Sequence, residues 1–90
     1  NAIEAVENVE TPAIEITKKE EQKRPTLSIS DNGQGINTHD LDKIFIPFYT
    51  TKKNGSGVGL ALARQIVSMH GGQIFVRSEL DRGSTFTIVL

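Results

Sequence analysis

Apolar residues recur along this chain with two different periods. Ile14 and Ile16 alternate with Glu15 and Thr17, and Leu27 and Ile29 alternate with Ser28 and Ser30. A period of two is that of half-buried strands. The charged stretch from Lys18 to Arg24 connects these runs and reads as a solvated hairpin or loop. Asp31 shares the parity of Leu27 and Ile29, which turns its carboxylate toward the buried face. From Val58 to His70 the spacing changes, with Val58, Leu62, Ile66 and Met69 at intervals of four, four and three. Arg64 and Ser68 lie on another face, which predicts an amphipathic helix. Gly71-Gly72 stops it. Ile74 and Val76 predict a strand, Asp81-Arg82-Gly83 a turn, and Phe86, Ile88 and Leu90 a closing strand.

The remaining stretches are less regular. Asn1-Ala2-Ile3-Glu4-Ala5-Val6-Glu7 reads as helix from its first residue with no cap before it, as at the end of a longer helix; Pro12 ends it. Asp40 to Ile44 predicts a short helical turn. Lys52 to Gly57 lacks apolar periodicity, and its glycines predict a mobile lid. The order α-β-β-lid-α-β-β predicts one α+β domain over residues 1–90, a two-layer sandwich with helices on one face of the sheet.

Composition narrows the chemistry. The 90 residues are 37% hydrophobic and 23% charged, as in a small globular domain. A net charge of −1 offers no electrostatic footprint for nucleic acid. Cysteine is absent, which removes disulfides, zinc-thiolate sites and thiol nucleophiles. No apolar run has the length needed to cross a bilayer. No Ser/His/Asp or paired-carboxylate arrangement stands out.

Two glycine-rich turns carry the strongest signal. In Asp31-Asn32-Gly33-Gln34-Gly35-Ile36 a carboxylate at a strand end meets a glycine turn. Such a carboxylate can accept a hydrogen bond from the exocyclic amine of adenine and is repelled by the oxygen guanine presents there. Gly33 and Gly35 would let backbone approach the base; read alone, Asp-Asn-Gly is an ordinary turn. Gly55-Ser56-Gly57-Val58-Gly59-Leu60 opens the long helix, where free N–H groups can cradle phosphates. It is no P-loop, since no lysine follows the glycines. The dinucleotide fingerprint also fails: its third glycine would fall at Leu60 or Leu62, and no strand precedes Gly55.

In this order the two boxes resemble those of the Bergerat-type ATP-binding fold, shared by sensor histidine kinases, gyrase, heat-shock chaperone ATPases and mismatch-repair ATPases. Phe45-Ile46-Pro47-Phe48-Tyr49-Thr50-Thr51-Lys52 resembles the histidine-kinase form of the linking segment, with Phe45 and Phe48 anchoring the lid's hinge. The resemblance covers Asn1 to Leu90 and implies the later part of a catalytic ATP-binding domain with a mixed sheet. It implies ATP contacts from Asn1, Asp31, Gly33, Gly35, Ile36, Tyr49, Thr50, Thr51, Lys52, Gly55, Gly57, Val58, Gly59, Leu60 and Thr85. Asn1 would be the magnesium ligand and Lys52 the phosphate-facing cation, while Glu4 stands where some kinases carry a lysine. The γ-phosphate of Mg-ATP would pass to a histidine on a separate helical domain, then to a response-regulator aspartate, in a homodimeric, cytoplasmic or membrane-anchored kinase. Neither histidine here fits as acceptor. His39-Asp40 has Ile44 where the family usually has proline, and His70 precedes Gly71-Gly72 at a helix end. Two alternatives stay open: an ATP-hydrolysing relative of gyrase or the mismatch-repair proteins, and a nucleotide-free docking module of the same fold.

Overall fold

A computed structural model describes residues 2–21, 23–49 and 58–90. Its elements in chain order are α1 (Ala2–Ala5), β1 (Ile14–Glu21), β2 (Arg24–Asp31), α2 (Thr38–Leu41), α3 (Gly59–Met69), β3 (Gln73–Glu79) and β4 (Gly83–Val89). The strands form one sheet in the order β1-β2-β4-β3. The expected α+β class holds. Every neighbouring pair of described strands is antiparallel, so no parallel part of a mixed sheet occurs among them.

Of the two readings of the charged stretch after Thr17, the hairpin holds: β1 and β2 stay paired through Lys18↔Leu27, Lys19↔Thr26 and Glu21↔Arg24. β2 begins at Arg24, directly after Lys23 at φ 65°. Charged side chains cost a solvated strand little, because the ladder is made by backbone groups.

Register sorts the side chains onto two faces. Leu27↔Ile88, Ile29↔Phe86 and Asp31↔Ser84 pair across β2 and β4, and Ile74↔Ile88, Val76↔Phe86 and Ser78↔Ser84 across β3 and β4. These residues share one face. On β3 that face is the covered one, since Ile74, Val76 and Ser78 are half-buried while Gln73, Phe75, Arg77 and Glu79 are exposed. The opposite face is rich in hydroxyls: Ser28 meets Thr87 at 3.2 Å and Ser30 meets Thr85 at 2.8 Å.

The helix α3 has the predicted position, but its expected stripe faces outward. Leu62, Ile66 and Met69 are exposed, whereas Val67 is buried and Leu60 and Ala63 are half-buried. A spacing of four, four and three is equally regular on either side of an apolar helix, so period alone does not choose the packed side. At its C-terminus Gly72 N–H donates to the Val67 carbonyl at 2.9 Å and Gly71 N–H to that of Ser68 at 3.0 Å. This is the Schellman pattern, and Gly71 supplies its left-handed residue at φ 76°. At the other end of the chain α1 is short, and turns carry the chain past Ala5: Val9 N–H reaches the Val6 carbonyl at 3.1 Å.

Candidate functional site

Asp31 is the last residue of the central strand β2, on the covered face as its parity predicts. Its Oδ1 accepts the Gly33 N–H at 2.9 Å, which closes the turn and fixes the carboxylate. Ser84 stands opposite it on β4, 6% exposed, and Ser78 stands opposite Ser84 on β3. The Ser78 hydroxyl accepts the Ile36 N–H at 2.7 Å, donates to the Gly83 carbonyl at 3.0 Å and meets Ser84 Oγ at 2.7 Å. Asp31, Ser78, Ser84, Thr85, Arg77 and Arg82 help line an open hollow of about 330 Å³ at this end of the sheet.

The first glycine turn is clamped on both sides. A Cβ at Gly33 would lie 2.2 Å from the Ala5 carbonyl oxygen, and that carbonyl accepts the Gln34 N–H at 3.1 Å. Gly35 sits at φ 73°, where a Cβ would come 2.2 Å from the Glu79 carbonyl oxygen. Asp81 N–H then reaches back to the Gln34 carbonyl at 2.8 Å. Both glycines thus permit close packing of the turn against α1 and the β3–β4 corner. Asn32 adds a strut: its Oδ1 accepts the Ala13 N–H and its Nδ2 donates to the Thr11 carbonyl, each at 2.8 Å.

Thr85 lines the hollow, but its side chain does not share the face of Asp31. It pairs with Ser30, one step out of phase with Asp31, and its hydroxyl bonds Ser30 on the other face. The residue that register brings to Asp31 is Ser84. Ser84 and Ser78 went unnoticed in the sequence, although the parity of Phe86 and Ile88 extends to Ser84 and that of Ile74 and Val76 to Ser78.

The linking segment divides. Phe45 is half-buried with the Arg64 guanidinium 5.2 Å from its ring centre, worth about 0.5–1 kcal/mol at an exposed site. Phe48 is no anchor: it is 78% exposed, at φ 71°. Tyr49 donates its hydroxyl proton to the Asp40 carboxylate on α2. That bond, helped by partial burial and by the carboxylate's charge, holds the Tyr49 pKa above its ordinary 10.0. Asn37 caps α2 by accepting the His39 N–H at 3.0 Å, so this helix starts earlier than the expected turn at Asp40. In the second glycine box, Val58 precedes α3, Gly59 is exposed with open space around its Cβ position, and Leu60 is half-buried. Asn1, Thr50, Thr51, Lys52, Gly55 and Gly57, and with them the lid, lie outside the described residues. No group of three or more His, Asp or Glu among the described residues could hold a metal ion, and no described helix is long and apolar enough to cross a membrane.

A family model for histidine kinase-, DNA gyrase B-, and HSP90-like ATPases matches residues 1–90. The chain belongs to this ATPase family. Within it, the similarity runs to histidine kinases. The sensor histidine kinase ZraS of Escherichia coli K12 is 43% identical over the whole chain, and sporulation kinase D of Bacillus subtilis 168 is 46% identical over 76% of it. The chain spans only 19% and 13% of those two proteins. Among solved structures, the catalytic domain of histidine kinase ThkA superposes over all of this chain and 58% of its own, with TM-score 0.83 and 33% identity. Full-length ShkA, solved with AMPPNP, superposes over 98% of this chain and 19% of its own, with TM-score 0.80 and 28% identity. This member of the ATPase family is therefore of the histidine kinase catalytic type.

Proposed function

We propose that the chain binds Mg-ATP and presents its γ-phosphate to a histidine on a separate helical dimerisation domain of a homodimeric sensor kinase. A response-regulator aspartate then receives the phosphoryl group. The catalytic domain works in the cytoplasm, whether or not the intact protein is membrane-anchored. The observation that carries this reading is the fixed Asp31 carboxylate, paired in register with the buried Ser84, both lining a hollow of about 330 Å³. A carboxylate so held accepts a hydrogen bond from an adenine amine at little reorganisation cost, and it repels a carbonyl oxygen.

The remaining roles follow the family pattern. Gly33, Gly35 and Ile36 shape the base-facing turn, and Tyr49, Thr50, Thr51 and Lys52 flank the nucleotide. Gly55, Gly57, Val58, Gly59 and Leu60 bring free N–H groups at the start of α3 to the phosphates, where the positive end of the helix dipole favours anions. The amide oxygen of Asn1 is a suitable donor for magnesium, a hard ion that keeps most of its waters. Magnesium, when bound, supplies neutralisation of phosphate charge. The protein's own contribution is positioning, with no covalent intermediate.

Calorimetric titration of the intact protein with ATP, with and without magnesium, and with GTP, tests the reading. Saturable ATP binding strengthened by magnesium, with much weaker GTP binding, is the expected result. No ATP binding under either condition overturns it in favour of a nucleotide-free docking module.

A further inference from the structure

The Ser78 hydroxyl has one proton and two lone pairs, and three partners within hydrogen-bond distance. The Ile36 N–H can only donate, so it takes one lone pair. The Gly83 carbonyl can only accept, so it takes the proton. One lone pair is left for Ser84, 2.7 Å away, and with all three bonds made Ser84 must be the donor. The Ser84 proton is thereby turned toward Ser78. What Ser84 can offer a ligand in the hollow is acceptor capacity, beside an Asp31 carboxylate that also only accepts.

Resting on the ATP-binding reading above, we propose that Ser78 is a positioning residue that sets base specificity by fixing the polarity of Ser84. Two neighbouring acceptors match an amine and oppose a carbonyl oxygen. Ser78 touches no base in this scheme; it removes the one donor state in which Ser84 would welcome a 6-oxo purine. Its bond to Ile36 also ties the first glycine turn to β3, so the Asp31 turn and the Ser84 strand are held by the same oxygen. Ser84 is buried, so rotating its proton away from Ser78 without another acceptor is costly.

The test compares ATP with inosine triphosphate, which carries an oxygen in place of the amine, on the intact protein and its variants. Ser78→Ala frees the Ser84 proton. The ratio of ATP to inosine triphosphate affinity is expected to fall roughly tenfold, and Ser78→Thr, which keeps the hydroxyl, should restore it. In a Ser84→Ala background, Ser78→Ala should change the ratio no further, as a double-mutant cycle requires of one pathway. A merely structural role would weaken both nucleotides by the same factor and leave the ratio alone; that result overturns the proposal. Should Ser78→Ala not fold, Ser84→Ala decides, since an unchanged ratio there overturns the proposal equally. A parent protein that binds ATP but shows no change of ratio in any variant refutes the role of Ser78 alone. A parent that binds neither nucleotide refutes the ATP reading first and this inference with it.

Discussion

One oxygen of Asp31 is already committed to the Gly33 N–H, and this decides what an amide would do in its place. In Asp31→Asn the amide oxygen must take that N–H, because a side-chain NH2 cannot accept it. The NH2 group then occupies the base-facing position and meets the adenine amine donor to donor. ATP affinity should fall by about 2–3 kcal/mol, the upper part of the range for hydrogen bonds to charged groups, with a much smaller loss of thermal stability. Calorimetry beside thermal unfolding checks this, and unchanged ATP affinity would remove Asp31 from the site. At this scale the face of Asp31 was legible, because strand parity is a local property of Leu27, Ile29 and Asp31. The place of Ser84 was not legible, because the motif names Thr85 and says nothing of register. Which hydroxyl meets Asp31 depends on how β4 is registered against β2, and that pairing joins residues far apart in sequence.

Between α2 and α3, Tyr49 is tied to Asp40, and the tie has a definite pH signature. The tyrosine must be protonated to donate, and its pKa is raised chiefly by that hydrogen bond. The contribution of the bond is therefore complete below the ordinary value of 10.0 and is lost as pH rises through the higher folded value. Tyr49 is the chain's single tyrosine, so tyrosinate absorbance of this 90-residue polypeptide follows it directly. The midpoint should lie above 10.0, and Asp40→Asn should bring it back toward that value. An unshifted midpoint in the parent would show that the bond does not form in solution. At this scale the long helix and the four strands were readable from period, while the strand character of Lys18 to Glu21 was not. Polar strands held by backbone pairing leave no hydrophobic trace. The packed side of α3 was hidden for the opposite reason, since apolar residues occupy more than one of its sides.

For the whole molecule, the proposed division of labour between two domains predicts that this polypeptide does not phosphorylate itself. His39 stands in the short helix α2, and its backbone N–H serves the Asn37 cap. His70 closes α3 with Nδ1 3.0 Å from the Ile66 carbonyl. Incubation of the 90 residues with radiolabelled ATP should leave both without acid-labile phosphate, whereas a separately supplied cognate acceptor domain should be labelled by the complete catalytic domain. Phosphate on His39 or His70 would relocate the acceptor to this chain. The α+β layering was legible at this scale because it follows from element order, and the site's internal bonding was not. Asn32, Ser78 and Ser84 matter through partners that only the folded sheet supplies.

The pairing of β2 with β4 at the centre of the sheet also has a kinetic consequence. Ser30 and Thr85, which touch across that seam, are 55 residues apart, whereas each flanking hairpin closes locally. Local pairs form early and cheaply in entropy; a distant seam must wait for a large loop to close. Asp31 rides on one hairpin and Ser84 on the other. Neither hairpin alone brings Asp31 and Ser84 together, so the proposed base site forms only once β4 has docked on β2.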